Sequence, residues 1–215
     1  SLVLRTPSVA AVAALLEEEK FSSAMANFAA RASQGHIGRA RHLAKSEEAR
    51  TRRQAILKIS LLITDVASAF KAAQVLVEAA KAEAEEEAEK RDDAELASLK
   101  EAWGQQGSKL TQGGAKVVKD LEKEQKSRTT RMVRDYLDRA LLDIATLYRD
   151  ILLIQANSLD STINTDLISE ITKISNSTTP EATLAKLEAI MSARTNLSHN
   201  AAPLLTIEAL MVSLK

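Results

Sequence analysis

Glycines and lysines gather at Gly104-Gln105-Gln106-Gly107-Ser108-Lys109 and at Gly113-Gly114-Ala115-Lys116, the residue types that cradle phosphates. A phosphate loop needs the spacing G-x-x-x-x-G-K-[ST] behind a strand, so that its backbone amides converge on the ligand. Neither stretch has that spacing, and both read as a turn between two helices. A di-metal centre in a helical bundle asks for a Glu three residues before a His on each of two helices. None of His36, His42 and His199 is preceded in that way, so no metal site is expected. With no cysteine there is no thiolate ligand, disulfide or cysteine nucleophile, and no G-x-S-x-G turn exposes a serine. The residues predict no cofactor and no enzyme.

Bases do cluster. Lys119, Lys123, Lys126, Arg128, Arg131 and Arg134 recur at spacings that put several on one helix face, and Arg128, Arg131 and Arg134 are the candidate DNA-facing residues. Asp120, Glu122, Glu124 and Asp135 interleave with them and cancel most of the field. Across the whole chain 29 acids balance 29 bases, so no global field gathers nucleic acid. The acids at Asp135, Asp138, Asp143 and Asp150 read as surface partners for nearby arginines.

Helices must carry all of this. Gly (6) and Pro (3) are too few to interrupt a chain dominated by Ala, Leu, Glu, Lys and Arg, and 45% hydrophobic residues are enough for a core. An all-α fold is expected. Its organising element runs from Arg128 to Asn157, where Val133, Leu137, Ala140, Leu141, Ile144, Leu147, Tyr148, Ile151 and Leu152 recur in steps of three and four. Three short Ala-rich helices come first: Ser8 caps one, Ser22 or Ser23 opens a second that stops at Gly35, and a third opens around Gly38. From Ser46 a connector leads to a helix capped by Thr64-Asp65, whose far end dissolves into Ala-Glu repeats with nothing to bury. Asp65 to Asn157 then reads as an antiparallel helical hairpin with its tip near residues 104 to 114.

Further helices start near Asp166, at Pro180 with Leu184, Leu187, Ile190 and Met191 inward, and at Pro203 with Leu205, Glu208, Ala209, Met211 and Val212. No apolar run reaches the roughly eighteen residues needed to span a bilayer, so no membrane contact and a cytoplasmic location are expected. The opening stretch Leu2-Val3-Leu4-Arg5 reads as the end of a strand, which predicts a preceding domain outside this chain.

Two separated motifs belong together. Leu4-Arg5-Thr6-Pro7-Ser8, followed by Ser33-Gln34-Gly35-His36-Ile37-Gly38-Arg39-Ala40, resembles the lid of clamp-loader AAA+ subunits, where the chain leaves the nucleotide-binding domain, crosses three helices and reaches a Gly-x-x-Gly-Arg-Ala-like junction. Asn200-Ala201-Ala202-Pro203-Leu204-Leu205-Thr206-Ile207-Glu208-Ala209-Leu210 looks like the final collar helix of that family, with Ala202 where Asn is usual. Glu124 through Asp150 is similar to the central collar helix of the delta-prime subunits of bacterial DNA polymerase III, and the Ala-Glu hairpin looks like the collar insertion of actinobacterial versions.

The resemblance implies residues 1–7 as the end of an AAA+ domain, 8–45 as a three-helix lid and 46–215 as a helical collar. It implies a lid motif of Gly35, Gly38 and Arg39, with the arginine one residue past the sensor position of the family's ATPases. Tyr148, Pro203, Leu205, Glu208 and Met211 become collar interface or core residues, and Glu208 is expected to pair with Arg194 or Arg139. The partners implied are the clamp-loader ATPase (gamma/tau) and delta subunits, with the sliding clamp and DNA reached through the assembly. The residues alone also leave open an unrelated helical adaptor that binds partner helices, or a local nucleic-acid-binding bundle.

Overall fold

A computed structural model describes residues 6–102, 105–106, 109–110 and 114–215. The strand-like start at Leu2 to Arg5 and the tip residues Trp103, Gly104, Gly107 and Gly113 lie outside them. The described residues form nine α-helices and one minimal two-stranded ribbon, and none of the helices is long and apolar enough to cross a membrane.

The first bundle consists of α1 (Val9–Glu18), α2 (Ser23–Ala32) and α3 (Ile37–Lys45). A side chain before each helix satisfies one of the amides left free at its first turn: Ser8 accepts from Ala11, Ser22 from Met25 and the Nδ1 of His36 from Arg39. Leu16, Ala26, Ala29, Ala30, Ala32 and Ala40 are fully buried, and alanine packing brings the three helices close together. Gln34 and Gly35 turn the chain with φ of 52° and 87°. A Cβ at Gly35 would lie 2.4 Å from Thr6 Cγ2 and 2.9 Å from the Pro7 carbonyl oxygen, so only glycine lets the entering segment pass so close. This core is not self-contained: it also takes in Ala49 and Ile163, from well beyond the bundle.

Ser46 then caps α4 (Glu47–Leu61). A reciprocal pair, Asp65 Oδ1 accepting from the Ser68 amide at 2.7 Å and Ser68 Oγ from the Asp65 amide at 3.0 Å, starts α5 (Val66–Ala102). It is 37 residues long and runs antiparallel to the 42 residues of α6 (Gly114–Gln155). At the tip, β1 (Gln105–Gln106) pairs antiparallel with β2 (Lys109–Leu110), a ribbon the sequence reading did not foresee.

The Ala-Glu stretch does bury something. Ala84 and Ala88, four residues apart, are 0% and 5% exposed against α6, and their small size permits that approach. The seam is locked by Arg128, which donates to Asp92 at 2.8 Å and Glu95 at 2.5 Å, while Gln125 Nε2 donates to the Asp92 carbonyl.

Below the hairpin, α7 (Ile168–Ser177), α8 (Pro180–Ser198) and α9 (Pro203–Ser213) close the main core around Leu137, Leu141, Ile144, Leu147 and Ile151 of α6. One expectation fails here, and it concerns α8. The buried side of α8 is Thr183, Ile190, Ala193 and Leu197, whereas Leu184 and Met191 are 50% and 41% exposed. On α9, Ile207, Leu210 and Met211 are buried, and Leu205 stands 67% exposed. On both helices the apolar residues are spread around the axis rather than gathered in one stripe, so spacing alone leaves the inward face undetermined.

Candidate functional site

The junction between the first bundle and the long helices holds the densest polar constellation. Arg39 leaves the first turn of α3, where the His36 cap fixes its backbone, and its Nη2 donates to Oδ1 of Asp143 on α6. Arg53 of α4 donates from Nε to the same oxygen at 2.8 Å, and from Nη2 to Asn164 Oδ1 at 2.6 Å and Thr146 Oγ1 at 3.2 Å. Asn164 in turn donates its side-chain amide to Asp150 Oδ2 at 2.8 Å, and the amides of Ile163 and Asn164 reach the same oxygen at 2.9 and 2.7 Å.

Asp143 and Asp150 are thus buried members of a network, which corrects their reading as surface partners of arginine. Burial pushes the Asp143 carboxyl above its ordinary range, opposed by the adjoining guanidinium groups of Arg39 and Arg53. The Arg53 guanidinium also lies 5.8 Å from the ring centroid of Phe28, and Arg31 donates to the Thr162 carbonyl at 3.1 Å. The first bundle is therefore pinned to the rest of the chain by four separate contacts: Arg39 to Asp143, Arg31 to Thr162, Phe28 to Arg53, and Ile163 in its core.

The network links α3, α4 and α6 to the loop that carries Asn164. Its arginines are engaged and its carboxylates already accept from several donors. Arg39, expected one residue past the family's sensor position, is 12% exposed in its side chain and committed to Asp143. Gly38 faces no such constraint as Gly35, since a Cβ there would meet only His36 at ordinary contact distance. Among the described residues no group of three or more His, Cys, Asp or Glu side chains is placed to hold a metal ion.

Two clefts flank α6. One, of about 960 Å³, lies between the first bundle with α4 and the hairpin, and is walled by His36, His42 and Arg52 on one side and Glu83, Glu86 and Glu87 on the other. Arg52 spans it to Glu83 at 3.4 Å, and the Tyr136 hydroxyl donates to Glu87. The other, of about 590 Å³, runs between α6 and the end of α8, and it contains Arg131, Arg134 and Arg194.

The three candidate DNA-facing arginines are therefore not equivalent. Arg128 is held in the hairpin seam, Arg131 is exposed, and Arg134 is half-buried in the groove beside α8.

The candidate collar residues also divide. Tyr148 is 5% exposed, with burial pushing its hydroxyl up to about 12, and Met211 is 0% exposed. Lys186 sits 5.9 Å from the Tyr148 ring centroid and donates to the Leu214 carbonyl at 2.8 Å, placing a cation at the C-terminal end of α9. Pro203 occupies the first turn of α9 behind Ala202, which supplies no side-chain cap. Glu208 is half-buried and in no ion pair among the described residues. Its two expected partners are elsewhere: Arg194 grips Asp138 at 2.7 and 3.0 Å, and Arg139 stacks 4.5 Å over Tyr136.

Set against known protein families, curated proteins and solved structures, the chain matches none of them.

Proposed function

We propose that this chain is a non-catalytic assembly element, the lid and collar of a delta-prime-type clamp-loader subunit. It joins the ATPase (gamma/tau) and delta subunits in an assembly that loads the sliding clamp on primed DNA. The observation that carries the reading is the coupling of a three-helix bundle to a long-helix module through a closed ionic lock: Arg39 on one side, Arg53, Asp143 and Asn164 on the other. A subunit that transmits position needs a lid that cannot swing freely on its collar, and buried, fully paired charges specify one orientation.

The last helix adds support. Leu205 and Val212, seven residues apart on α9, are 67% and 36% exposed, an apolar flank beside a filled core. In this reading the flank meets a neighbouring subunit, and DNA is reached only through the assembly.

Co-purification with the ATPase subunit of the same organism tests the proposal. A complex that forms with the unaltered chain and is lost on changing Leu205 and Val212 to Asp is expected. Absence of any complex at micromolar concentration argues for an unrelated helical adaptor.

A further inference from the structure

The groove between α6 and the end of α8 carries an unanswered charge. Three buried guanidinium Nε atoms have no acceptor among the described residues, those of Arg91, Arg128 and Arg134. Arg91 and Arg128 stand beside Asp92 and Glu95, so their charge is met nearby. Among the described residues Arg134 is in no ion pair, and neither is Arg131, three residues before it on the same helix. A buried N–H without an acceptor loses its hydration and gains nothing in return.

The groove's other charges are already in place. Arg194 is fixed by its two bonds to Asp138, and Asp135 lies exposed on the rim. Three arginines against two aspartates leave one positive charge in the lining. A monoanion balances that charge, whereas a phosphate dianion would overshoot it and face Asp135 and Asp138. Met191, 41% exposed, borders the arginines, and Leu184, seven residues earlier on α8, is 50% exposed. An anion arriving on a protein surface finds apolar contact beside it, and one arriving as a free ion leaves those side chains wet.

We infer that the α6–α8 groove is a receptor for a carboxylate carried by an acidic side chain of a partner protein, held by Arg134 and Arg131 with Met191 packing beside it. The inference deepens the assembly reading and rests on it for the source of the anion. A planar guanidinium presents paired N–H groups as a fork that fits a carboxylate, and Arg134 lines the groove with an Nε–H that has no acceptor among the described residues.

The test uses acetate as the carboxylate probe, with the whole chain labelled for arginine Nε–Hε NMR. Acetate is expected to move the Arg134 resonance downfield and saturably in the millimolar range, with phosphate acting more weakly and chloride at matched ionic strength not at all. Arg131→Gln is expected to weaken acetate binding about tenfold, the factor set by losing one charge-assisted hydrogen bond. Arg41→Gln, on an exposed pair with Glu19 in the lid, leaves it unchanged. An Arg134 resonance that stays still, or that moves equally with chloride, overturns the site.

The partner is tested separately, with Arg134→Gln in the complex with the ATPase subunit. Weakening of that complex supports a protein carboxylate as the occupant. An unweakened complex beside a saturable acetate shift overturns the partner as the source. Failure of the assembly reading shows itself differently, as no complex for the unaltered chain.

Discussion

Arg39 of α3 and Arg53 of α4 close on one and the same oxygen, Oδ1 of Asp143 on α6. Two buried cations sharing one anion make that anion indispensable. Asp143→Asn keeps the shape and removes the charge, leaving both guanidinium groups buried without it, and should cost about 3–5 kcal/mol in urea unfolding. Arg39→Gln leaves Asp143 paired with Arg53 and should cost less, about 1–3 kcal/mol. The reverse order would mean that Asp143 is tolerated as a neutral residue and the lock is not ionic.

The close approach at Gly35 makes a second expectation. Alanine there must adopt a φ of 87° and place its Cβ 2.4 Å from Thr6 Cγ2, so strain and overlap add. Gly35→Ala should destabilise by about 2 kcal/mol or more. A shift of about 4–8 °C in the melting temperature of a chain of this size would register it. Removing the methyl contact with Thr6→Ser should recover only part of the loss, because the backbone strain and the Pro7 carbonyl at 2.9 Å remain.

Why some of this could be read from the chain and some could not is a matter of which physical signal is local. The stripe from Leu137 to Ile151 follows one helical period with polar residues opposite, so its burial was legible, as were the caps at Ser8, Ser22 and Asp65. Asp143 reads as a surface residue because an aspartate on a helix looks the same whether it meets solvent or a guanidinium 90 or more residues away, and Asp150 because its donors are the Ile163 and Asn164 amides of a loop. The inward face of α8 was misplaced because Leu184, Leu187 and Met191 are as apolar as Ile190 and Leu197. The neighbours of α8, rather than its own pattern, decide which side is covered. The lone cation in the groove was only half visible: Arg131 and Arg134 stood out as a basic pair, but that Arg128 is spent on Asp92 and Glu95 depends on the hairpin register.

Leu205 and Met211 separate interface from core on one helix. Met211 is 0% exposed in the main cluster, so Met211→Ala should cost about 2–5 kcal/mol through lost burial and the cavity left behind. Leu205→Asp touches no packed neighbour in the isolated chain, and its effect should stay within about 0.5 kcal/mol. Equal losses in chemical denaturation would place Leu205 in the core and remove it from any partner surface.

Tyr148 gives a pH dependence of definite sign. Its hydroxyl ordinarily titrates near 10, and burial against α8 and α9 pushes it up to about 12. Between those values the unfolded chain gives up the proton while the folded chain keeps it, so the unfolded state binds fewer protons and stability falls as pH rises. The contribution is fully present below pH 10 and is lost through about pH 12, at about 1.4 kcal/mol per unit, or about 3 kcal/mol in all. Tyr136 is raised in the same direction by burial and by its bond to Glu87, so part of the alkaline loss belongs to it. Tyr148→Phe should leave neutral stability nearly unchanged and flatten the decline between pH 10 and 12 by Tyr148's share, leaving the Tyr136 share in place. A decline of unaltered steepness in the phenylalanine variant would mean that the Tyr148 phenol reaches water in the folded chain, and the α6–α8–α9 core would then be looser than its packing around Ile190, Ile207 and Met211 indicates.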